Sequence, residues 1–248
     1  KAALVAAERG HEVILIEKEK ELGGLLRYSA YERLKIDLYN YMKYLVTQIN
    51  KSNVIVKTGT RATPGLVKEL SPDAIIIAIG ALPIIPKIKG VDKPHVFQAL
   101  DVYGKFEKIG QDVVIIGGGS TGCELGIELV RCGKNVTILE RSGMLAKNGN
   151  LLYRIGLRQT MEKEEKLNWE LNSTCKEITD NGVIFIQDGK EKFIKAHTVI
   201  LSTGLKTDPK AIESFYGIVP DTYVIGDANK PRNVMDATRE AYFIAKNI

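Results

Sequence analysis

Residues 112–141, DVVIIGGGSTGCELGIELVRCGKNVTILER, constrain the fold more than any other part of the chain. The apolar run 113–116 predicts a buried parallel strand, and it leads into Gly117, Gly119 and Gly122 at the spacing GxGxxG. A sharp turn into a helix is expected there. The first glycine permits the tight turn, the second lets the backbone approach a pyrophosphate, and the third lets helix and strand pack closely. Ser120 and Thr121 open the helix, whose free N–H groups and positive dipole end favour an anion without a basic side chain. A second apolar strand, 136–139, ends at Glu140, a carboxylate suited to a ribose diol. The isolated glycine pattern fits any glycine-rich βα turn, but the order strand, turn, helix, strand, acid points to a nicotinamide nucleotide. An acid that accepts from the ribose 2′-hydroxyl would repel a 2′-phosphate, which favours NADH over NADPH, although Arg141 follows immediately and would suit that phosphate.

Composition bounds the rest. The 248 residues, 44% hydrophobic and 26% charged, make a soluble globular chain with room for two modest domains. The net charge of +5 is spread without blocks of like sign and gives no nucleic-acid signal. No apolar run reaches membrane-spanning length, so no membrane partner is expected. The three cysteines, Cys123, Cys132 and Cys175, sit at neither metal nor redox spacing, which suggests a reducing, cytoplasmic setting and no metal site. Cys123 and Cys132, on or beside the nucleotide helix, are expected to be buried as small apolar residues. His11, His95 and His197 have no GxSxG elbow to serve and are expected on the surface or in loops.

Residues 1–18 match the second half of another dinucleotide unit: an alanine-rich helix, a stop at Gly10, a strand over 13–16 and an acid at Glu17. No strand or glycine motif precedes them, so the sequence is expected to be a piece of a longer polypeptide, cut inside its first βαβ unit. A charged turn from Lys18 leads to Gly23 and Gly24, and a helix is expected over 31–50 with Leu38, Tyr41, Met42 and Leu45 on its core face. Then come a strand over 54–56, a helix over 64–70 and a strand over 74–79 ending at Gly80. A proline-punctuated crossing between domains follows over 81–94. Beyond the nucleotide unit are a helix over 151–162, short strands over 167–195 with turns expected at Asp180, Asn181 and Gly182 and at Asp188 and Gly189, and a buried strand over 199–201. That strand ends at Ser202, Thr203 and Gly204, echoing Ala78, Ile79 and Gly80. A last strand ends at Gly226 and Asp227, and a closing helix begins near residue 233. Two such similar units imply two similar domains and two similar ligands.

The segments ERGHEVILIEKEKELGG, IIIAIGALPIIPKIKGVD, VVIIGGGSTGCELG and YVIGDANKPRNVMDATREAYFIA resemble those of flavoproteins with two dinucleotide-binding domains, the pyridine-nucleotide-dependent flavin reductases. Within that superfamily the chain looks like the C-terminal reductase portion of bacterial NADH:flavin oxidoreductases of the 2-enoate reductase and 2,4-dienoyl-CoA reductase type. The resemblance implies an α/β fold of two Rossmann-like domains. The NAD domain (105–206) would be inserted into an FAD domain (1–104 and 207–248) whose first βαβ unit is incomplete. It also implies that Glu17 binds the adenosine ribose of FAD, that Gly23 and Gly24 approach the cofactor, and that Asp227, after Gly226, binds its ribityl or pyrophosphate region. Lys18 and Gly80 complete that set. The pyrophosphate of NAD would lie on 119–122, with Glu124, the acid of GxGxxGxE, near the nicotinamide ribose or amide and Gly204 beside the nucleotide.

The implied reaction is hydride transfer from NADH to FAD, with no catalytic side chain required. Disulfide-type flavin reductases use a cysteine pair that this chain lacks, so electrons would pass to an FMN and iron–sulfur barrel domain outside this sequence. Two other readings remain open: a non-catalytic nucleotide-binding module, or an electron-input subunit resembling the small subunit of glutamate synthase.

Overall fold

The computed structural model describes residues 1–248 and divides into two compact units. One comprises Lys1–Arg27, Asp37–Leu82 and Leu205–Ile248; the other comprises Tyr28–Ile36 and Pro83–Gly204.

The second unit is built on a five-stranded parallel sheet in the order Val96–Gln98, Thr198–Leu201, Asp112–Ile116, Asn135–Leu139 and Leu167–Glu170. Because both faces are covered, its central strands read as continuous apolar runs instead of alternating ones. Val113 and Ile115 face one core with Leu125, Ile127 and Leu129 of the helix Ser120–Arg131 and with Leu157 and Met161 of Leu151–Met161. Val114 and Ile116 point the other way, towards Ile178, Val183 and Phe185. Those last three belong to an antiparallel sheet of Ser173–Thr179, Gly182–Gln187 and Lys190–Lys195. Asp188 (φ +52°) and Gly189 (φ +73°) take the two left-handed positions of its second hairpin turn.

The expected boundary at 104/105 falls inside this unit. Val96–Gln98, a strand too short to show a period, pairs in parallel with Thr198–Leu201 as the edge of the sheet, so the division comes at 82/83 and again at 204/205. Tyr28–Ile36 also belongs here, although its sequence neighbours do not.

The first unit holds two parallel strand pairs, Ile14–Ile16 with Ile55–Lys57 and Ala74–Ile77 with Asp221–Val224. Val5 and Ala6 of the helix Ala2–Glu8 pack with Ala245 of the helix Val234–Asn247. Thr63 and Asn233 accept backbone N–H bonds at the starts of Pro64–Leu70 and Val234–Asn247, as helix caps do. The helix expected from residue 31 begins at Ile36, preceded by 3₁₀ turns over Gly24–Tyr31 and Arg33–Lys35, with Glu32 extended between them. Tertiary contacts override helical propensity there: Glu32 is buried, whereas a continuous helix would have turned its carboxylate elsewhere. Leu38, Tyr41, Met42 and Leu45 are half-buried, and Ile49 is the fully buried residue of this helix.

The cysteines divide by exposure. Cys123 is enclosed and burial pushes its thiol up to about 12; Cys175 is half-buried and burial raises it to about 12 as well. Cys132, expected inside, is exposed because it is the C-cap of the nucleotide helix, beyond its last buried turn. A disulfide reagent added to the folded protein is therefore expected to show one fast phase that Cys132→Ala removes, with Cys123 reacting only after unfolding. A fast phase that survives Cys132→Ala would contradict this burial pattern.

Candidate dinucleotide site

The glycine turn joins the strand Asp112–Ile116 to the helix Ser120–Arg131, and each of its glycines meets a different constraint. Gly117 has φ +110°, and a Cβ there would lie 2.2 Å from the Ser202 carbonyl oxygen. At Gly122 a Cβ would lie 2.1 Å from the Gly117 carbonyl oxygen. Gly118, which the spacing motif leaves free, is also confined: its Cβ would meet Leu145 at 2.5 Å and Glu140 at 2.8 Å. Gly119 is the opposite case, since a Cβ there would meet nothing within 4 Å. Gly119 is the N-cap and no side chain caps this helix, so the first-turn N–H groups face open space beside an exposed glycine. An uncapped helix end with room in front of it has the charge and shape to take a pyrophosphate.

Glu140, directly after the strand Asn135–Leu139, turns its carboxylate back onto this loop. One oxygen accepts the Gly118 N–H at 2.7 Å and the other the Ser142 N–H at 2.7 Å. The Gly118 carbonyl in turn accepts the Ala146 N–H at 2.7 Å and the Cys123 thiol at 3.4 Å. Residues 140–146 are thereby tied to the glycine loop, which sets the acid at the edge of the open space. Arg141 is exposed. The neighbouring strand Thr198–Leu201 ends at the same sheet edge, where Thr203 donates to the Ile84 carbonyl at 2.6 Å and Gly204 (φ +94°) accepts the Ile84 N–H at 2.9 Å. Ligands of open parallel sheets bind at such carboxyl edges.

Glu124 is enclosed in a network that no local pattern announces. Its oxygens take the Lys35 ammonium at 2.5 Å and the Tyr153 hydroxyl, and it is 2% exposed. Lys35 also reaches Glu32 at 2.8 Å, and Glu32 accepts the Tyr103 hydroxyl. Burial pushes the Glu32 carboxyl up. Burial alone would lower the Lys35 ammonium, but Glu124 and Glu32 outweigh it and hold it above its usual value. The Tyr103 and Tyr153 phenols are raised by burial and by the acids they face. One turn further along the helix, Glu128 accepts the Arg33 N–H at 3.1 Å and pairs with Arg131 at 3.4 Å. The sequence shows Glu32 and Lys35 only as an ordinary i, i+3 pair of opposite sign.

In the first unit, Glu17 follows the strand Ile14–Ile16 and accepts the Glu19 N–H at 2.8 Å, with Lys18 exposed beside it. A Cβ at Gly23 (φ +122°) would meet Met42 at 2.5 Å, whereas Gly24 and Gly80 border open space. Gly226 gives its N–H to Glu240 at 2.7 Å, and Asp227 accepts the Arg232 N–H at 3.2 Å. Glu240 also pairs with the Arg232 guanidinium, which pins this turn against the last helix. Gly80 and Gly226 both follow the carboxyl ends of paired parallel strands, as Gly117 and Gly204 do. These residues suit the ribose and distal parts of a dinucleotide.

Known proteins are similar to this chain. The chain is 35% identical over 256 residues to the NADH oxidase of Thermoanaerobacter brockii, with 100% of the chain and 39% of the relative covered. It is 33% identical over 249 residues to the cinnamate reductase of Clostridium sporogenes, with 100% and 37% covered. A solved complex of 2-naphthoyl-CoA reductase with 2-naphthoyl-CoA superposes with a TM-score of 0.94 at 30% identity, over 100% of this chain and 38% of that one. The chain thus spans about two fifths of the length of the relatives it matches. Residues 1–241 match the description pyridine nucleotide-disulphide oxidoreductase, and the chain belongs to that family.

Proposed function

We propose that the chain is the nucleotide-binding part of a flavin-dependent NADH oxidoreductase of the enoate-reductase type. In this reading Tyr28–Ile36 with Pro83–Gly204 binds NADH and the first unit binds FAD. Electrons then pass to a distal acceptor, an FMN and iron–sulfur domain of the same protein. The observation that carries the reading is the open space at Gly119 before an uncapped helix, with Glu140 beside it. The likeness to an NADH oxidase and a cinnamate reductase supports the redox assignment.

When bound, the two cofactors supply the redox chemistry, a hydride passing from the nicotinamide to the flavin. The chain's own residues bind and orient. The N–H groups of Ser120 and Thr121 hold the pyrophosphate, and Glu140 takes the adenosine ribose while its charge disfavours a 2′-phosphate. Gly204 leaves room beside the nucleotide. Glu17 takes the FAD ribose, with Lys18, Gly23, Gly24 and Gly80 lining the cofactor and Asp227, held by Arg232, facing its ribityl or pyrophosphate region.

Equilibrium titration with NADH and NADPH tests the nucleotide assignment, and NADH is expected to bind more tightly. Glu140→Ala is expected to weaken NADH about tenfold, the scale of one charge-assisted hydrogen bond, and to narrow the preference over NADPH. Tighter NADPH binding, or unchanged affinity in Glu140→Ala, would remove Glu140 from the site. Incubation with FAD followed by removal of free ligand tests the flavin half. A retained visible band bleached by NADH is the expected result, and a colourless protein that still binds NADH would restrict the chain to nucleotide binding.

A further inference from the structure

The turn that carries Asp227 is fixed by a carboxylate from the last helix. Gly226–Ala228 is a single 3₁₀ turn, closed by the Asn229 and Lys230 N–H groups on the Gly226 carbonyl at 3.0 Å each. Such a turn is short and weakly bonded, and Gly226 (φ +61°) adds backbone freedom, so its conformation depends on outside support. Glu240, in the middle of the helix Val234–Asn247, supplies that support. One of its oxygens accepts the Gly226 N–H at 2.7 Å; the other accepts from the Arg232 guanidinium and from the Asn229 side-chain amide, the latter at 3.4 Å. Arg232 in turn gives its backbone N–H to one oxygen of Asp227 at 3.2 Å, leaving the second oxygen open. Glu240 thus acts on Asp227 by two routes, through the residue before it and through Arg232. Stability does not account for this arrangement, because Glu240 and Arg232 keep 23% and 35% of their side-chain surface exposed and a pair so placed adds little. Position does, since Asp227 stands just beyond the carboxyl end of a parallel strand, where open sheets take their ligands.

We infer that Glu240 is a positioning residue of the flavin site: by fixing the Gly226–Ala228 turn and Arg232 to the last helix, it sets the direction in which the Asp227 carboxylate meets the cofactor. This rests on the proposal that the first unit binds FAD. Glu240 does not touch the cofactor itself, because its oxygens already accept from Gly226, Asn229 and Arg232. The Gly226 N–H is likewise engaged, so Asp227 carries the polar contact of this turn. Arg232 balances the Glu240 charge, and the turn therefore offers the cofactor one free carboxylate and not two.

The test is equilibrium titration with FAD and, separately, with NADH, of the wild-type protein, Glu240→Gln, Glu240→Ala, Asp227→Ala and the double variant Asp227→Ala/Glu240→Ala. Thermal melting is recorded in parallel, and the visible circular dichroism of the bound flavin reports its geometry. Glu240→Ala is expected to bind FAD about tenfold more weakly, a loss of about 1.4 kcal/mol, with an altered dichroism band. Its melting temperature and NADH affinity are expected to stay close to wild type, because the glycine turn proposed for NADH belongs to the other unit. Glu240→Gln, whose amide oxygen can still accept the Gly226 N–H, is expected to recover most of the FAD affinity. In the Asp227→Ala background, Glu240→Ala is expected to cost less than about threefold, since residues that act through one another are not additive. Should Glu240→Ala fail to fold, Glu240→Asp is read in its place: it keeps the charge but is one methylene too short to reach Gly226 and Arg232 together, and the same loss of FAD affinity is expected. Unchanged FAD affinity in Glu240→Ala, FAD and NADH affinity falling together with the melting temperature, or a full tenfold loss repeated in the Asp227→Ala background would overturn the inference. A wild-type protein that takes up no FAD would instead overturn the flavin half of the functional proposal, and this inference with it.

Discussion

Gly122→Ala is expected to abolish measurable NADH binding and to lower stability by about 3 kcal/mol, at the upper end of the usual cost of overpacking. The new Cβ would lie 2.1 Å from the Gly117 carbonyl oxygen, a backbone atom at the end of the central strand, so relief requires helix and strand to move apart. That movement would disturb the helix N-terminus and the Gly117 turn together. Gly119→Ala supplies the contrast. Its Cβ meets nothing within 4 Å, so its melting temperature is expected to stay close to wild type while NADH affinity falls at least tenfold, because the methyl occupies space proposed for the pyrophosphate. Melting curves and NADH titrations of the two variants provide the check. Unaltered affinity in Gly119→Ala would mean that the open space at the helix end is not the nucleotide site.

Ile115→Ala is expected to cost about 2–5 kcal/mol, the range for deleting a fully buried aliphatic side chain and leaving a cavity. Ile115 is 0% exposed and lies in the central strand, packed against the nucleotide helix, so the hole opens on both elements that carry the glycine turn. The turn itself keeps its hydrogen bonds, and NADH is expected to restore part of the stability. A ligand at a hundred times its dissociation constant contributes about 2.7 kcal/mol through linkage if it binds only the folded state. A thermal melt with and without saturating NADH checks this. A loss below about 1 kcal/mol would mean that the core relaxes around the missing methyls, contrary to a close-packed interior.

The βαβ unit was legible because its determinants are local. Within 112–141 the apolar runs, the glycines and the terminal acid follow one another along the chain, and the backbone itself calls for glycine at 117, where φ is +110°, and at 122, against the Gly117 carbonyl. The turn at Asp188 and Gly189 was legible for the same reason, since two consecutive left-handed residues have few alternatives. Gly118 was harder to read. Its need to be glycine comes from Leu145 and Glu140, which approach it only after the second strand has paired. Cys132 was misread because its place on the helix was plain from sequence, whereas the extent of the cover over that helix end was not.

The sequence by itself determined most of the elements, the glycine turn and the two-fold echo of strand ends at Gly80 and Gly204. Each depends on interactions among residues close together in the chain. Only the tertiary structure decided that Val96–Gln98 joins the second unit's sheet, that Tyr28–Ile36 leaves its sequence neighbours for that unit, and that Lys35 comes to Glu124. The physical reason is that a buried ion pair is worth forming only where both partners are already brought out of water by packing around them. Lys35 and Glu124 are far apart in sequence, so chain topology, and no local propensity, determines that they meet.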